Sequence, residues 1–483
     1  DNGTAVIRYS LLVFAMIYIV SVAGRDWFRG LCFMLPLLAV LERPDMPREM
    51  LGIGGLNPFN ILMLIVLIAW FIQRRNDGSH WQANTRITRL FLIYMLILTV
   101  STTRLFLDFD SLRGAYAYAG RDVPSTAGFL IDNVVNTVKW LIPGLLIATG
   151  ANSKERVRLV LVGLLATGAL LSLQVIAKMM PGIVSGQDLA ERALRVLDRD
   201  LGYHRVDLAA ITASMAWAFL AARPAFKPGI AGPITIGGFG LCTIAMALTG
   251  GRAGMLSWVM CALVLGFLKW RKMLILIPAV SLLALAVVPG LQDRLMQGFS
   301  GDTGGAQAER RASMGAIDES GRDRYAITSG RVVVWPLVIA EANKRPIIGH
   351  GREAMQRTGI VARLRDDLNI TTFGHPHNAF LQLYIDTGVI GLFFVGWFFW
   401  LLGRRSMKVF ANPPNLTMGM VASMSLSFLV VNMTASLGSQ SFYPKQGATL
   451  YWIVICLTLS FLFRKRPVQD RQARPAPYGQ LIR

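Results

Sequence analysis

Apolar runs close to the roughly 20-residue length needed to cross a bilayer recur along the whole chain, centred near residues 14, 36, 65, 98, 139, 168, 214, 240, 260, 281, 390, 426 and 455. Nothing constrains the fold more. With 53% hydrophobic and only 16% charged residues and a mean hydropathy of +0.47, the chain holds more apolar surface than a soluble globule can bury. The expected fold is all-α: a polytopic membrane protein of about 12–13 transmembrane helices. Cys32, Cys242, Cys261 and Cys456 all fall inside apolar runs, where small apolar packing explains them better than disulfides or metal ligation. The chain opens at Asp1 rather than methionine, which leaves room for residues upstream. No cleavable signal leads into a soluble domain.

The formal charge of +21 invites a nucleic-acid reading, but its distribution argues otherwise. One set of alternate loops (24–30, 73–89, 150–158, 223–229, 269–272, 403–408 and 464–483) carries 23 Lys+Arg against 4 Asp+Glu. The opposite set (1–4, 42–58, 101–128, 178–207, 250–253 and 437–446) carries 12 of each. Such asymmetry follows the positive-inside rule. It places the first set, with the tail RKRPVQDRQARPAPYGQLIR, in the cytoplasm. The excess charge is an orientation signal, and no nucleic-acid partner is expected.

Four stretches follow: residues 1–289, about ten transmembrane helices with short loops; 290–376, a large outer loop, partly helical; 377–463, the last three transmembrane helices; and 464–483, a basic cytoplasmic tail. Alternation puts the long loop, about 87 residues from Gly290 to Pro376, on the outer face. Its first part, GFSGDTGGAQAERRASMGAIDESGRDR, is Gly-rich and lacks apolar periodicity. The later SGRVVVWPLVIAEANKRPIIGHG predicts a helix capped by Ser329, with Val333, Leu337 and Ala340 on one stripe, then a Pro/Gly turn. In the outer loop 178–207, DLAERALRVLD has the amphipathic pattern of a helix lying on the membrane surface. There is no internal repeat.

On this topology Arg205, Arg252, Arg331 and His377 emerge on one outer face, although 172 residues separate the first from the last. In LTGGRAGML the glycines flanking Arg252 would let a large anion approach the backbone, and arginine binds phosphate bidentately at any relevant pH. A snorkelling arginine at the lipid interface is the alternative. Arg331 reads either as a second anion ligand or as a helix-start residue paired with Glu341 or a loop acid. In GHPHNAFLQLYIDTGVIG, Pro376 suits a first helical turn, so His375 and His377 bracket a helix start whose dipole disfavours imidazolium. A neutral imidazole there can accept a proton, as a general base must; a helix cap or interfacial hydrogen bond is the plainer role. Asn378, Gln382 and Asp386 recur every four residues and predict one polar stripe facing protein or water. A metal site from His375, His377, Asp366 and Asp367 has only weak spacing support. Asp132, Asn136 and Lys139 predict a polar seam on one helix face, with Asp132 and Lys139 neutralising each other.

At LTGGRAGML, SGRVVVWPLVIAEANKRPIIGHG and HPHNAFLQLYIDTGVIGL the sequence resembles the O-antigen ligase and polymerase family, marked by a long outer loop and then a His-Asn pair opening a helix. These stretches lie in the carboxy-terminal half; the amino-terminal half matches in hydropathy alone. The resemblance implies transfer of an undecaprenyl-diphosphate-linked glycan, en bloc, to an acceptor hydroxyl at the periplasmic face of the bacterial inner membrane. It implies that Arg252 and Arg331, with Arg205 beside them, bind the diphosphate. It makes His377 the group that activates the acceptor, with His375 and Asn378 in support. No metal and no cofactor is called for, because the lipid-phosphate linkage stores the energy, and attack from the opposite face inverts the anomeric centre.

The expected activity is therefore that of an inverting membrane glycosyltransferase in cell-envelope polysaccharide assembly. The polar outer loop favours a repeat-unit polymerase, as for an exopolysaccharide. A ligase that passes the glycan to lipid A core, completing lipopolysaccharide, shares the same donor and chemistry. A polysaccharide or lipid transporter would also carry many helices, but should betray paired or symmetrically interrupted halves, and the sequence has neither.

Overall fold

The structure is a computed structural model; it describes residues 2–483 apart from 42, 44–45, 48, 51–52, 119–121, 124, 289, 297–323, 371–372, 439–441 and 465–483. The Gly-rich part of the long loop and nearly all of the basic tail lie outside the described residues.

The chain is an all-α polytopic membrane protein. Its helices are α1 (Asn2–Arg25), α2 (Trp27–Met34), α3 (Pro58–Gln73), α4 (Thr85–Leu107), α5 (Phe109–Tyr118), α6 (Thr126–Leu130), α7 (Asn136–Gly150), α8 (Lys154–Val184), α9 (Leu189–Leu201), α10 (Arg205–Ala221), α11 (Pro228–Leu248), α12 (Arg252–Leu268), α13 (Lys272–Val287) and α14 (Leu291–Met296). After the undescribed stretch come α15 (Arg324–Thr328), α16 (Arg331–Ala342), α17 (Ala354–Arg357), α18 (Ile360–Asp366), α19 (Ala379–Ala411), α20 (Leu416–Ala435) and α21 (Thr449–Leu462). A two-residue hairpin pairs Glu49 with Gly54. All thirteen apolar centres fall in these helices or in the 3-10 turn Leu35–Ala39 that prolongs α2. Among the described residues seven helices are long and apolar enough to cross a membrane, and five more are apolar but shorter.

Local chemistry sets where helices begin. The side chains of Asp26, Asn57, Asn84, Ser153, Asp188 and Asn415 each accept a backbone N–H of the first turn that follows, satisfying donors that a helix start leaves bare. The amphipathic stretch is α9; it buries Leu189, Ala193, Val196, Leu197 and Leu201 and ends at Gly202 in the left-handed region, φ +70°. A π-helical turn at Ile131–Val135 joins α6 to α7. There Asn136 Nδ2 donates to Asp132 Oδ1 at 3.1 Å, while Lys139 sits over the Trp140 ring at 4.3 Å. All four cysteines are buried and unbridged.

The longest helix, α19, is broken. Gly388 has φ +66° and ψ −165°, and a Cβ there would collide with the backbone of Ile347. The break frees backbone groups inside an apolar bundle, where each bare one costs several kcal/mol (~2–7). Residues 346–351 of the long connection replace the lost bonds. Val389 and Ile390 donate to the carbonyls of Pro346 (2.8 Å) and Ile347 (3.3 Å), and His350 and Gly351 donate to those of Ile385 (2.7 Å) and Asp386 (2.8 Å). Gly349, at φ +63°, lies so close to the Asp386 carbonyl carbon that a Cβ would approach it to 2.5 Å. The Pro/Gly turn of RPIIGHG is thus a strap across the broken helix. Arg104 of α4 holds it from behind, donating to Ile348 O at 2.7 Å and Gly349 O at 2.9 Å.

The connection has a core of its own. Val334, Val338 and Ala342 of α16 pack with Met355, Ile360 and Leu364, and this cluster reaches onto the first turns of α19 through Leu381 and Ile385. Of the expected stripe Val333, Leu337 and Ala340, the first two pack half-buried against this cluster and Ala340 is exposed; Val334, Val338 and Ala342 are the fully buried ones. The helix begins after Gly330 at φ +82°; Thr328 Oγ1, not Ser329, accepts from Val332 N at 3.2 Å.

Candidate active site

Three helix starts and one loop converge. Arg205 is the first residue of α10, Arg252 of α12 and Arg331 of α16. The close crossing of α10 and α12 needs small residues: a Cβ on Gly254 would stand 2.5 Å from Ala209 Cβ, and one on Gly251 would stand 2.9 Å away. Gly251 and Gly254 therefore serve helix packing, their bare flank facing Ala209, while Gly250, at φ +62°, makes no such close contact. Arg252 lies close enough to Arg205 and to Arg331 to repel both. Its Nη2 donates to Ser329 Oγ at 3.1 Å.

Neither Arg205 nor Arg331 has a carboxylate partner among the described residues. Nε and Nη1 of Arg205 are buried with no hydrogen-bond partner among the described residues. Arg331 spends its guanidinium on carbonyls: Nη1 to Thr328 (3.0 Å), Nη2 to Gly438 (2.5 Å) and Nε to His377 (3.4 Å). Glu341, proposed as its ion partner, instead pairs with Lys344 at 2.7 Å. Burial, and then the neighbouring Arg252 charge, push the Arg331 pKa down, so an anion arriving here would relieve a real electrostatic cost.

The histidine loop lies before the helix, not in its first turn. Asn378 is the cap of α19, its Oδ1 accepting from Phe380 N at 3.0 Å and Leu381 N at 3.1 Å. Asn outcompetes Pro376 as the start because it supplies an acceptor to two bare N–H groups. His377 is left one residue outside the cap with φ +50°, a conformation that costs a non-glycine residue about 1 kcal/mol or more. Both its peptide groups are held: His377 N donates to His375 Nδ1 at 3.2 Å, and Arg331 reaches its carbonyl. Trp335 Nε1 donates to Pro376 O at 2.9 Å and Gln356 Nε2 to Gly374 O at 3.4 Å. Three side chains of the long connection thus pin the loop. The His377 ring meets Phe373 edge-on at 4.9 Å and lies 4.2 Å from the His375 ring.

Burial pushes the His375 pKa down to about 4, with the Lys445 and His204 charges adding and Asp207 opposing. His375 is therefore neutral near pH 7, and since its Nδ1 accepts, its Nε2 carries the proton. Lys445, His204 and Asp207 were not singled out in the sequence. Lys445 Nζ pairs with Asp207 at 2.9 Å; His204 caps α10 through Nδ1 to Val206 N at 3.3 Å, with burial lowering its pKa. The available signals were the polar run GYHRVD at a helix start and a single lysine between two long apolar helices.

Residues 237–396 match the family model described as O-Antigen ligase. The chain carries an O-antigen ligase family domain. That domain runs from within α11 into α19 and takes in Arg252, Arg331, His375, His377 and Asn378; Arg205, His204, Asp207 and Lys445 reach the same cluster from outside it. No curated protein matches the chain. Of the remaining residues read from sequence, Asp386 is buried and accepts from Tyr443 Oη at 3.2 Å, so this member of the stripe faces protein. Asp366 accepts a bond from Tyr118. Among the described residues no group of three His, Cys, Asp or Glu is placed to hold a metal ion.

Proposed function

We infer that this O-antigen ligase domain transfers a glycan from a polyprenyl-diphosphate carrier to an acceptor hydroxyl, with Arg205, Arg252 and Arg331 holding the diphosphate and His377 as base. The observation that carries this reading is the clustering of three guanidinium groups, one with two buried N–H-bearing nitrogens lacking partners, beside a backbone-clamped histidine. Such a cluster is costly alone and is relieved by a doubly charged anion. In the step itself the acceptor O–H proton passes to the His377 imidazole while the acceptor oxygen attacks the anomeric carbon. The anomeric C–O bond breaks on the far face, and the diphosphate leaves with the electron pair, its growing charge met by the arginines. The configuration at that carbon inverts.

His375 fits a positioning part, because its Nδ1 accepts the His377 N–H and helps hold the left-handed backbone. On the charge-bias topology the site faces the periplasm and the tail the cytoplasm. Polymerisation is preferred over ligation to lipid A core, on the weight of the long connection that walls the site. The test is reconstitution with an undecaprenyl-diphosphate-linked repeat unit. Wild-type rates in both His377→Ala and Arg252→Ala would sink the reading. A product ladder without added acceptor supports a polymerase; product only on adding core lipid supports a ligase.

A further inference from the structure

The cavity that matters here lies at the other end of the bundle. Helices α10 and α12 start at Arg205 and Arg252 and end at Ala221 and Leu268; seventeen residues rise about 26 Å. There, between the α10–α11, α12–α13 and α19–α20 turns, is a cavity of about 750 Å³. Its lining holds Arg223, Lys269, Arg271 and Lys272 and no acidic residue. None of the four makes an ion pair among the described residues. Lys269 Nζ donates to Phe410 O at 3.3 Å, and Trp270 packs edge-on against Phe410 at 5.3 Å. Below these cations the wall turns apolar, with Ile236 and Leu416 65% and 73% exposed. The segments 223–229 and 269–272, which meet this cavity, belong to the strongly basic loop set.

We propose that this cavity binds the phosphodiester headgroup of an anionic phospholipid from the leaflet opposite the arginine cluster, its acyl chains lying along α11 and α20. Charge selects the ligand: four cations without counter-charge favour a headgroup of net negative charge over a zwitterion, whose own ammonium they repel. The apolar lower wall favours a lipid over a free ion, since inorganic phosphate would leave it empty. Trp270 sits where an indole is favoured, at the boundary between polar and apolar layers. A bound lipid fills the gap between α11 and α20.

The test is native mass spectrometry of the full chain released from nanodiscs of equal parts phosphatidylglycerol and phosphatidylcholine. Selective retention of phosphatidylglycerol is expected, with the preference weakened roughly hundredfold in Arg223→Gln/Arg271→Gln/Lys272→Gln. Wild-type protein titrated with phosphatidylglycerol brominated in its upper acyl chain should show a quenched component absent from Trp270→Phe, which needs no change to the cations. Inorganic phosphate should not displace the lipid. Equal retention of both lipids, an unchanged preference in the triple variant, no Trp270 quenching, or displacement by phosphate would each overturn the proposal.

Discussion

The Nε of Arg331 reaches the carbonyl of His377 at 3.4 Å while Nη2 of the same guanidinium takes that of Gly438 at 2.5 Å. One side chain from the long connection thus fastens the histidine loop to the end of α20. Arg331→Lys keeps the charge but cannot span both acceptors. Glycan transfer in proteoliposomes is expected to fall about tenfold to a hundredfold, with the protein still monodisperse; a variant at the wild-type rate would remove Arg331 from the site.

The two histidines should separate by role. His377→Ala is expected to lower the turnover number by about 10²- to 10⁴-fold. His375→Ala should cost less, and His375→Asn, whose Oδ1 can still accept the His377 N–H, should recover part of that loss. Equal and total loss in all three would contradict a positioning role for His375.

Gly388 allows no side chain. Its positive φ and the Ile347 backbone against it mean that Gly388→Ala should cost at least about 2 kcal/mol. Scanning fluorimetry in detergent would register this as a lowered melting temperature. An unchanged melt would show that the strap gives way easily.

Acid should loosen the site. Burial holds the His375 pKa near 4, below its ordinary value of 6.5, so the unfolded chain binds the proton first as pH falls. Stability is full above pH 6.5 and is lost progressively toward pH 4, by at most about 3 kcal/mol. In His375→Asn the part of the melting-temperature slope over that window due to this group should vanish.

Apolar length and spacing made the helices legible, because burial in lipid acts on whole runs of residues and tolerates local error. Alternation of those runs was also enough to bring Arg205, Arg252, Arg331 and His377 to one end of the bundle. Local competition was harder to read. Asn378 capped the helix that Pro376 was expected to open, the stripe of α16 centred on Val334, Val338 and Ala342, and Gly251 and Gly254 proved to be packing surfaces for Ala209. Least visible was the pairing of 346–351 with 385–390. It joins two segments with no shared periodicity, and only the glycines at 349, 351 and 388 hinted that backbones meet there. The Asp207–Lys445 pair, 238 residues apart, left only a polar run and a lone lysine in the sequence, with nothing to link one to the other.

The four bonds exchanged at Gly388 make the long connection and the chain's longest described helix a single cooperative unit. Peeling the strap away would strand four peptide groups beside hydrocarbon, where no water waits to take them. The segment that carries the histidines is therefore anchored as firmly as the lipid-embedded shaft it rides on. Amide hydrogens at Val389 and Ile390 should exchange no faster than those midway down that shaft.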